Sequence, residues 1–376
     1  MASRRFLARL RGRVWAFVLE TDRFVRLHFL FFTCVWPLLG AASVHADSSW
    51  TDLSVLLAVM LCFHVFAFVL NDVVDLPIDR THVDRQRDPL VRGVITPQQA
   101  LAVVLLQPVL AVPLTMLLGP DWHAYAALAS SFALMGTYNL FGKRCALPPA
   151  MDLIQGLGWG SLAIYAAYAL GSEPNPLTWM VLAYGTGFTL FMNGIHGGLR
   201  DLANDVACGA HTTAIYLGAR PSPNGADSYV PRQVAIFASA VLAGLVGLNA
   251  ALMLRNDFHY GPAALTVTAT VVAALNLGAI ALMPKVVRPH GPVWNVAFRL
   301  QMYLVLMSLP AAFGAYASPK TLALLLLLTV ISVMLLEWTP AITRWVWLII
   351  HSAVRSASGD SLEAWIPDSE NRPTRY

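Results

Sequence analysis

Long apolar stretches alternate with short polar connections along most of this chain of 376 residues. About 20 apolar residues in a helix are enough to cross the hydrocarbon core of a bilayer. The pattern therefore predicts ten transmembrane helices, near residues 25–44, 53–71, 99–118, 122–141, 153–170, 178–196, 232–254, 263–283, 297–317 and 321–337. The tenth run has an alternative interpretation, because Pro340 follows it and residues 344–355 would also fit along the membrane interface.

Composition agrees with a membrane protein. Apolar residues make up 57% of the chain and charged residues 12%, about half the charged fraction of soluble domains. We predict an all-α, polytopic bundle of nine to ten helices with the bilayer as a partner and no nucleic acid. The predicted organisation is a basic arm (1–24), one integral membrane domain (25–355) and a polar tail (356–376).

Basic residues predict the orientation of the bundle. Seven arginines precede the first run or lie at its start, and further Lys or Arg residues follow the second, fourth, sixth and eighth runs. The opposite connections contain only Arg255 and Lys320. Because cytoplasmic loops carry the excess of Lys and Arg, we expect the N-terminus and the even-to-odd loops to be cytoplasmic.

Two acidic clusters stand at the ends of apolar runs on this same side. The first is NDVVDLPID, residues 71–79, and the second is DLAND, residues 201–205. Carboxylates three or four residues apart share one helical face, where they repel one another unless a cation lies between them. Mg²⁺ binds few protein carboxylates and completes its shell with water and substrate phosphates. The pattern therefore predicts a Mg²⁺ site, or a Mn²⁺ site, that binds a diphosphate.

Helical geometry places the members of the first cluster. Asp72, Asp75 and Asp79 would fall on one face, with Asn71 as a neutral oxygen ligand or an orienting hydrogen-bond partner. Pro77 qualifies this expectation for Asp79, because proline disrupts the preceding turn. A purely solvating role for these acids is the alternative interpretation.

The second cluster is expected to continue the helix of the sixth run. Continuous helical phase would bring Asn193, Arg200 and Asn204 together and would set Asp201 and Asp205 on a neighbouring face. In this site Arg200 would either hold Asp201 or bind phosphate oxygens in bidentate fashion. For His196 we expect an interhelical hydrogen bond, with a role as a base as the alternative.

With these residues the chain resembles the UbiA-type intramembrane prenyltransferase superfamily. The family's NDxxDxxxD signature matches residues 71–79, and its DxxxD signature, preceded by Arg, matches residues 200–205. Three further segments also resemble the family, namely DPLVRGVITPQQA, YNLFGK and GAHTTAIYLGA. The resemblance covers about the first 220 residues.

The resemblance implies a helical bundle around a central cavity that is open to lipid and capped by cytoplasmic loops. It implies that Mg²⁺ is held on an isoprenoid diphosphate and that an aromatic or other hydrophobic acceptor captures the resulting allylic cation. The implied metal and catalytic ligands are Asp72, Asp75, Asp201 and Asp205, with Asp79 and Asn71 in support.

The expected basic partners of the diphosphate depart from the family pattern at two positions. Asp88 stands where the family commonly has Arg, and His211 stands where it often has Lys. Lys143 and Arg92 are the predicted diphosphate partners, although both would also serve as ordinary cytoplasmic charges. The remaining predicted substrate-binding residues are Asn193, Arg200 and His211, and Tyr138 is expected to face the reacting carbon through a cation–π contact.

Several interpretations of function stay open. The main one is a prenyltransferase with an aromatic or related acceptor, and the second is a terpene cyclase of the same superfamily. A transporter is the third, although the acids lie at helix ends rather than near the bilayer midplane. The small residues of the fifth run, among them Gly156 and Gly160, would either admit a prenyl tail or pack helices closely, and we expect packing.

Overall fold

A computed structural model describes residues 18–44, 47–222, 228–289 and 291–338. Within these ranges the chain is mostly helical, and each of the ten predicted runs corresponds to one long helix. Their bounds are α1 Leu30–Val44, α2 Trp50–Val74, α3 Pro97–Met116, α4 Trp122–Phe141, α5 Pro148–Ala169, α6 Pro176–Phe191, α7 Arg232–Arg255, α8 Pro262–Val286, α9 Gly291–Phe313 and α10 Pro319–Val333.

Short elements join the long helices. Residues 18–25 are helical and lead into a 3₁₀ turn at Leu27–Phe29. Strands β1 (Arg220–Pro221) and β2 (Ser228–Tyr229) pair antiparallel, with Arg220 opposite Tyr229. The other short elements are Leu76–Asp79, Val83–Arg85, Met192–Gly197, Gly198–Arg200, Leu202–Ala207, Thr213–Tyr216 and Met334–Trp338.

Local sequence signals set where the long helices begin. Proline lies in the first turn of α3, α5, α6, α8 and α10, where its missing N–H costs nothing. Thr96 caps α3 by accepting a hydrogen bond from the Gln99 amide, and the Gln99 side chain accepts one from the Thr96 amide in return. Asn175 and Thr178 form the same reciprocal cap at α6.

Helix α5 lies at the centre of the bundle and packs against α1, α4 and α6. Its glycines allow this close approach. A Cβ atom at Gly156 would lie 2.6 Å from the carbonyl oxygen of Thr186 on α6, and one at Gly160 would lie 2.5 Å from that of Leu182. The small residues of the fifth run therefore serve helix packing, as predicted.

A polar network deep in the bundle joins α6 to the three helices that follow it. The Tyr184 hydroxyl lies 2.7 Å from Ser308 Oγ on α9, and the amide of Asn249 on α7 donates to both Ser308 and Asn276 of α8. His196 is fully buried and bonds Gln301 of α9 at 2.9 Å. His196 is therefore an interhelical residue, as expected.

Length and hydropathy identify most of the bundle as membrane-spanning. In the described part of the chain, seven helices are long and apolar enough to cross a bilayer. Helices α4, α5 and α6 do not meet that criterion, so the predicted count of nine to ten spans is approximate. Leu105 of α3, Leu277 of α8 and Leu326 of α10 are each more than 60% exposed, as expected of helix faces in contact with lipid.

Some sequence predictions concern parts of the chain outside the described residues. They are the first 17 residues of the basic arm, the interfacial alternative for residues 344–355, and the polar tail 356–376. The division into arm, membrane domain and tail thus remains a prediction.

Candidate active site

The first acidic cluster lies at the end of α2. The helix ends at Val74, the amide of Asp75 still bonds the carbonyl of Asn71, and the short helix Leu76–Asp79 follows. Pro77 sits in the first turn of that short helix, where it is tolerated. Asp79 therefore stays beside Asp75 despite the proline, and both residues are more than 90% buried.

The second cluster does not continue the helix of the sixth run, so that prediction is wrong. Helix α6 ends at Phe191 and is followed by a π-helical turn, Met192–Gly197. A short helical turn then ends at Asp201, whose backbone (φ −96°, ψ 5°) leaves the helical conformation before the helix Leu202–Ala207 begins. Glycines at 194, 197 and 198 explain the irregularity, since glycine disfavours regular helix.

Both clusters nevertheless face one cavity. Asn71, Asp75 and Asp79 line it from the first cluster, and Asp201 and Asp205 line it from the second. The other predicted site residues in its wall are Tyr138, Lys143, Asn193, Arg200 and His211.

Two predicted residues are not part of this wall. Asp72 borders a neighbouring cleft and forms a buried salt bridge with Arg26. Arg92 pairs with Glu20 on the helical segment before α1. The structure thus does not bring Arg92 to the cavity, because a carboxylate 72 positions earlier in the chain binds its guanidinium.

Lys143 connects the two clusters. Its Nζ lies 3.3 Å from Asp75 Oδ2 and 3.1 Å from Asp205 Oδ1. Burial disfavours the ammonium, but the two carboxylates outweigh this effect and raise the pKa of Lys143. Burial also raises the pKa values of Asp75 and Asp205, an effect that Lys143 partly offsets. One cation therefore neutralises a carboxylate from each cluster.

Asp201 is held by basic groups on two sides. Arg200 donates from Nε at 2.8 Å and from Nη2 at 2.7 Å, and His82 Nε2 lies 3.6 Å away. Although burial opposes ionisation, Arg200 and His82 hold the pKa of Asp201 well below its usual range. The hydrogen bond to Asp201 in turn raises the pKa of His82. Of the two roles considered for Arg200, the structure shows the bond to Asp201.

Asp88 and His211, the two residues that depart from the family pattern, both have polar partners in the structure. Asp88 accepts a hydrogen bond from Arg85 at 3.3 Å, and Arg85 itself lines the cavity. His211 Nδ1 lies 3.1 Å from the carbonyl oxygen of Cys145. A basic side chain from the loop after α2 therefore does reach the cavity, and it is Arg85.

Four ionisable residues of the cavity wall were not predicted from the sequence: Arg26, His82, Arg85 and Asp152. Of these four, only Asp152 has a feature in the sequence that could have identified it as a site residue. It is a lone acid at the edge of the fifth apolar run, and an ionisable residue within a membrane segment is by default a functional hypothesis.

The cluster carboxylates that line the cavity, Asp75, Asp79, Asp201 and Asp205, are paired with basic side chains in this structure. In the described part of the chain, no three His, Cys, Asp or Glu side chains lie close enough together to form a metal-binding group. The donor chemistry still suits Mg²⁺, which prefers carboxylate oxygens. Because Lys143 touches both Asp75 and Asp205, a single cation between the clusters is within reach of both.

Comparison with known proteins agrees with the fold and with the resemblance. The chain is 26% identical over 231 residues to 4-hydroxybenzoate octaprenyltransferase of Pseudoalteromonas atlantica. The aligned region covers 60% of this chain and 75% of the relative. It is similar in structure to an apo UbiA homolog from Aeropyrum pernix K1, with a TM-score of 0.59 and 19% identity. The match covers 76% of this chain and 97% of the homolog.

A second structural neighbour is a UbiA homolog from Archaeoglobus fulgidus bound to GPP and Mg²⁺, with a TM-score of 0.55, 15% identity and coverage of 78% of this chain and 98% of that one. At these identities the structural likeness shows the fold alone. The sequence profile of the UbiA prenyltransferase family matches residues 30–283, well over half of the chain. This chain therefore belongs to the UbiA prenyltransferase family.

Proposed function

We propose that this membrane enzyme transfers the prenyl group of an isoprenoid diphosphate to an aromatic or related hydrophobic acceptor, and that it requires Mg²⁺ or Mn²⁺. The observation that carries the proposal is the contact of Lys143 with both Asp75 and Asp205, because it joins the two acidic clusters in one site. The relative named for 4-hydroxybenzoate and the neighbour bound to GPP and Mg²⁺ support it.

The oxygen donors of the two clusters would hold the metal. They are Asp75, Asp79, Asp201 and Asp205 in the cavity wall, with Asp72 beside them in the neighbouring cleft. When bound, a divalent cation supplies positive charge that stabilises the leaving diphosphate. Asn71 donates to Asp75 Oδ2 at 3.3 Å, and this contact orients the carboxylate.

Basic side chains around the clusters would bind the remaining diphosphate charge. Lys143, Arg85 and Arg200 line the cavity, and each would exchange part of its contact with a carboxylate for a phosphate oxygen. Arginine suits this role because its planar fork matches phosphate geometry. His211 and Asn193 offer further polar atoms in the same wall.

The reaction that these groups would support is an ionisation followed by capture. The C–O bond of the donor breaks and its electron pair leaves with the diphosphate, which gives an allylic cation. A π-electron pair of the acceptor then forms the new C–C bond, and a proton leaves that acceptor carbon. Donors fixed before the reaction stabilise the developing charge without reorganisation.

Tyr138 would face the cation from the apolar side. The residue is 8% exposed and lines the cavity, and its hydroxyl accepts a hydrogen bond from Asn193 at 2.7 Å. This bond fixes the ring, and an aromatic face attracts a nearby cation. The buried setting also excludes water, which would otherwise trap the cation as an alcohol.

Product analysis tests this function. Purified protein in lipid would receive Mg²⁺ and labelled geranyl, farnesyl or geranylgeranyl diphosphate, first alone and then with a panel of benzoic acids, phenols and quinols. We expect a C-prenylated product only when an acceptor is present, and none from the Asp201→Asn variant. A cyclic hydrocarbon from the donor alone would instead identify a terpene cyclase, and it would defeat the transferase proposal.

A further inference from the structure

Asp152 is a carboxylate in the cavity wall that has no role in the proposed binding of the metal or the diphosphate. It lies in the first turns of α5 and is only 5% exposed. Its Oδ1 accepts a hydrogen bond from Asn193 Nδ2 at 2.5 Å, and its Oδ2 accepts one from Thr213 Oγ1 at 2.5 Å. Burial opposes ionisation of this carboxylate, whereas the two hydrogen-bond donors favour its charged form.

The neighbouring backbone makes room for this carboxylate. A Cβ atom at Gly194 would lie 2.8 Å from Asp152 Oδ2, too close for any other residue without a shift. Gly194 and Asn193 both belong to the π-helical turn Met192–Gly197, and such turns are frequent at functional sites. Three segments, α5, this turn and the helix that contains Thr213, thus combine to seat one side chain.

Charge distinguishes Asp152 from the other carboxylates of the cavity. Asp75, Asp79, Asp201 and Asp205 each have a Lys or Arg nitrogen within 4.0 Å. Asp152 forms no salt bridge with any of the residues that the structure describes. An anion without a paired cation repels a second anion, and it does so strongly in a poorly solvated site. The donor diphosphate is therefore expected to bind beside Lys143 and the arginines, and the space beside Asp152 is left to the other reactant.

Asn193 extends the group of polar side chains toward the reacting carbon. Its amide nitrogen donates both to Asp152 Oδ1 and to the hydroxyl of Tyr138, at 2.5 and 2.7 Å. The carboxylate is thus linked, through one amide, to the aromatic ring that would face the prenyl cation. A reactant bound here would meet a carboxylate acceptor at one point and a phenolic hydroxyl at another.

We infer that Asp152, Asn193 and Tyr138 form the acceptor subsite, and that the subsite selects an uncharged acceptor with a hydroxyl group, such as a phenol or a quinol, and rejects benzoates. The inference rests on the proposed transferase function and names its second substrate class. Asp152 accepts a hydrogen bond from the acceptor hydroxyl. A benzoate would have to approach Asp152 as a second anion, while Lys143, Arg85 and Arg200 are occupied by the aspartate clusters and by the donor diphosphate. The chain would then differ in acceptor from its relative named for 4-hydroxybenzoate.

A matched pair of acceptors tests the inference. The kcat/KM values for 4-hydroxybenzoate and for its uncharged analogue 4-hydroxybenzamide would be compared, with geranyl diphosphate and Mg²⁺ in excess. We expect the wild-type enzyme to favour the amide at least about 10-fold, since like charges in contact at a binding site cost more than the 1.4 kcal/mol that a factor of ten represents. In Asp152→Asn, which keeps the shape and both hydrogen-bond partners, the preference should fall below about 3-fold.

Thr213→Val is the matched control, because it removes one hydrogen bond to Asp152 and keeps the charge. It should retain the preference for the amide, and the wild-type ratio decides the question if Asp152→Asn does not fold. Equal use of acid and amide by the wild-type enzyme, or an unchanged preference in folded Asp152→Asn, would overturn the inference.

Diphosphate release, measured in the same samples, separates this inference from the proposed function. Release of diphosphate with prenylation of benzoates, but of no neutral phenol or quinol, would contradict the acceptor subsite alone. If no diphosphate were released from any donor under any condition, the transferase proposal itself would fail.

Discussion

The ammonium nitrogen of Lys143 lies 3.1 Å from Oδ1 of Asp205, although 62 residues separate them in the chain. Because the same nitrogen also lies 3.3 Å from Asp75, the loop after α4 links the end of α2 to the segment after α6. Two buried carboxylates from different parts of the sequence thereby share one positive charge. Without that charge they would face each other unpaired, an arrangement that costs several kcal/mol.

Replacement of Lys143 should therefore impair donor binding. We expect Lys143→Gln to lower kcat/KM for the prenyl diphosphate at least about 30-fold, since truncation of one member of a buried ion pair costs about 2 kcal/mol or more. Steady-state kinetics of the purified enzyme would measure this. Arg144→Gln is the control, because Arg144 is adjacent in sequence, carries the same charge and is exposed. Equal effects of the two substitutions would remove Lys143 from the site.

The acidic clusters should be needed for chemistry, so a folded variant that lacks one of their carboxylates should lose activity. We expect Asp72→Asn or Asp201→Asn to lower the rate at least about 100-fold, a loss of about 2.7 kcal/mol of transition-state stabilisation. Asp121→Asn serves as control, because Asp121 is an exposed helix cap and Asn caps as well as Asp. Near-normal turnover in either cluster variant would place the metal elsewhere.

Helix packing around α5 gives a prediction about stability. In Gly160→Ala the new methyl group would meet the Leu182 carbonyl at 2.5 Å, and we expect the melting temperature to fall, since overpacking typically costs about 1–3 kcal/mol. Gly244→Ala is the matched control, because no atom lies within 4 Å of its added Cβ and alanine favours helix. Thermal unfolding in detergent would measure both, and a Gly160 variant at least as stable as the Gly244 variant would contradict the packing.

The predicted orientation can be tested with cysteine labelling. Cys208 is exposed and lies just after the second cluster, so a membrane-impermeant maleimide should reach it only from the cytoplasm. An Asp47→Cys change in a Cys208→Ser background should be labelled only from outside, because residue 47 lies in the opposite connection and is exposed. Labelling of both positions from one side would refute the shared cytoplasmic face of the clusters.

The sequence predicted the long helices well, because their apolar length is a local property. It also predicted the two clusters, whose spacing places several carboxylates on one helix end. The π-helical turn at Met192–Gly197 was missed because propensity alone does not specify how far glycines unwind a helix. The straight continuation to Asp205 was wrong for that reason.

Side-chain pairs between residues far apart in the chain were the other feature that could not be predicted from the sequence. Arg92 was expected in the site, but Glu20 binds it from a segment 72 residues away. The role of Asp152 depends on Asn193 and Thr213, which lie 41 and 61 residues further along the chain. No local pattern shows which of several buried acids will have a cation partner and which will have only neutral ones.

Metal dependence of diphosphate release tests the account most directly, because it asks whether the two aspartate clusters act together on the donor. Purified enzyme in lipid would receive geranyl diphosphate and an acceptor phenol, first with Mg²⁺, then with excess EDTA, and then with Mg²⁺ or Mn²⁺ restored. We predict that EDTA abolishes release and that either metal restores it in the wild-type enzyme but not in Asp201→Asn. Undiminished release in excess EDTA would contradict the account.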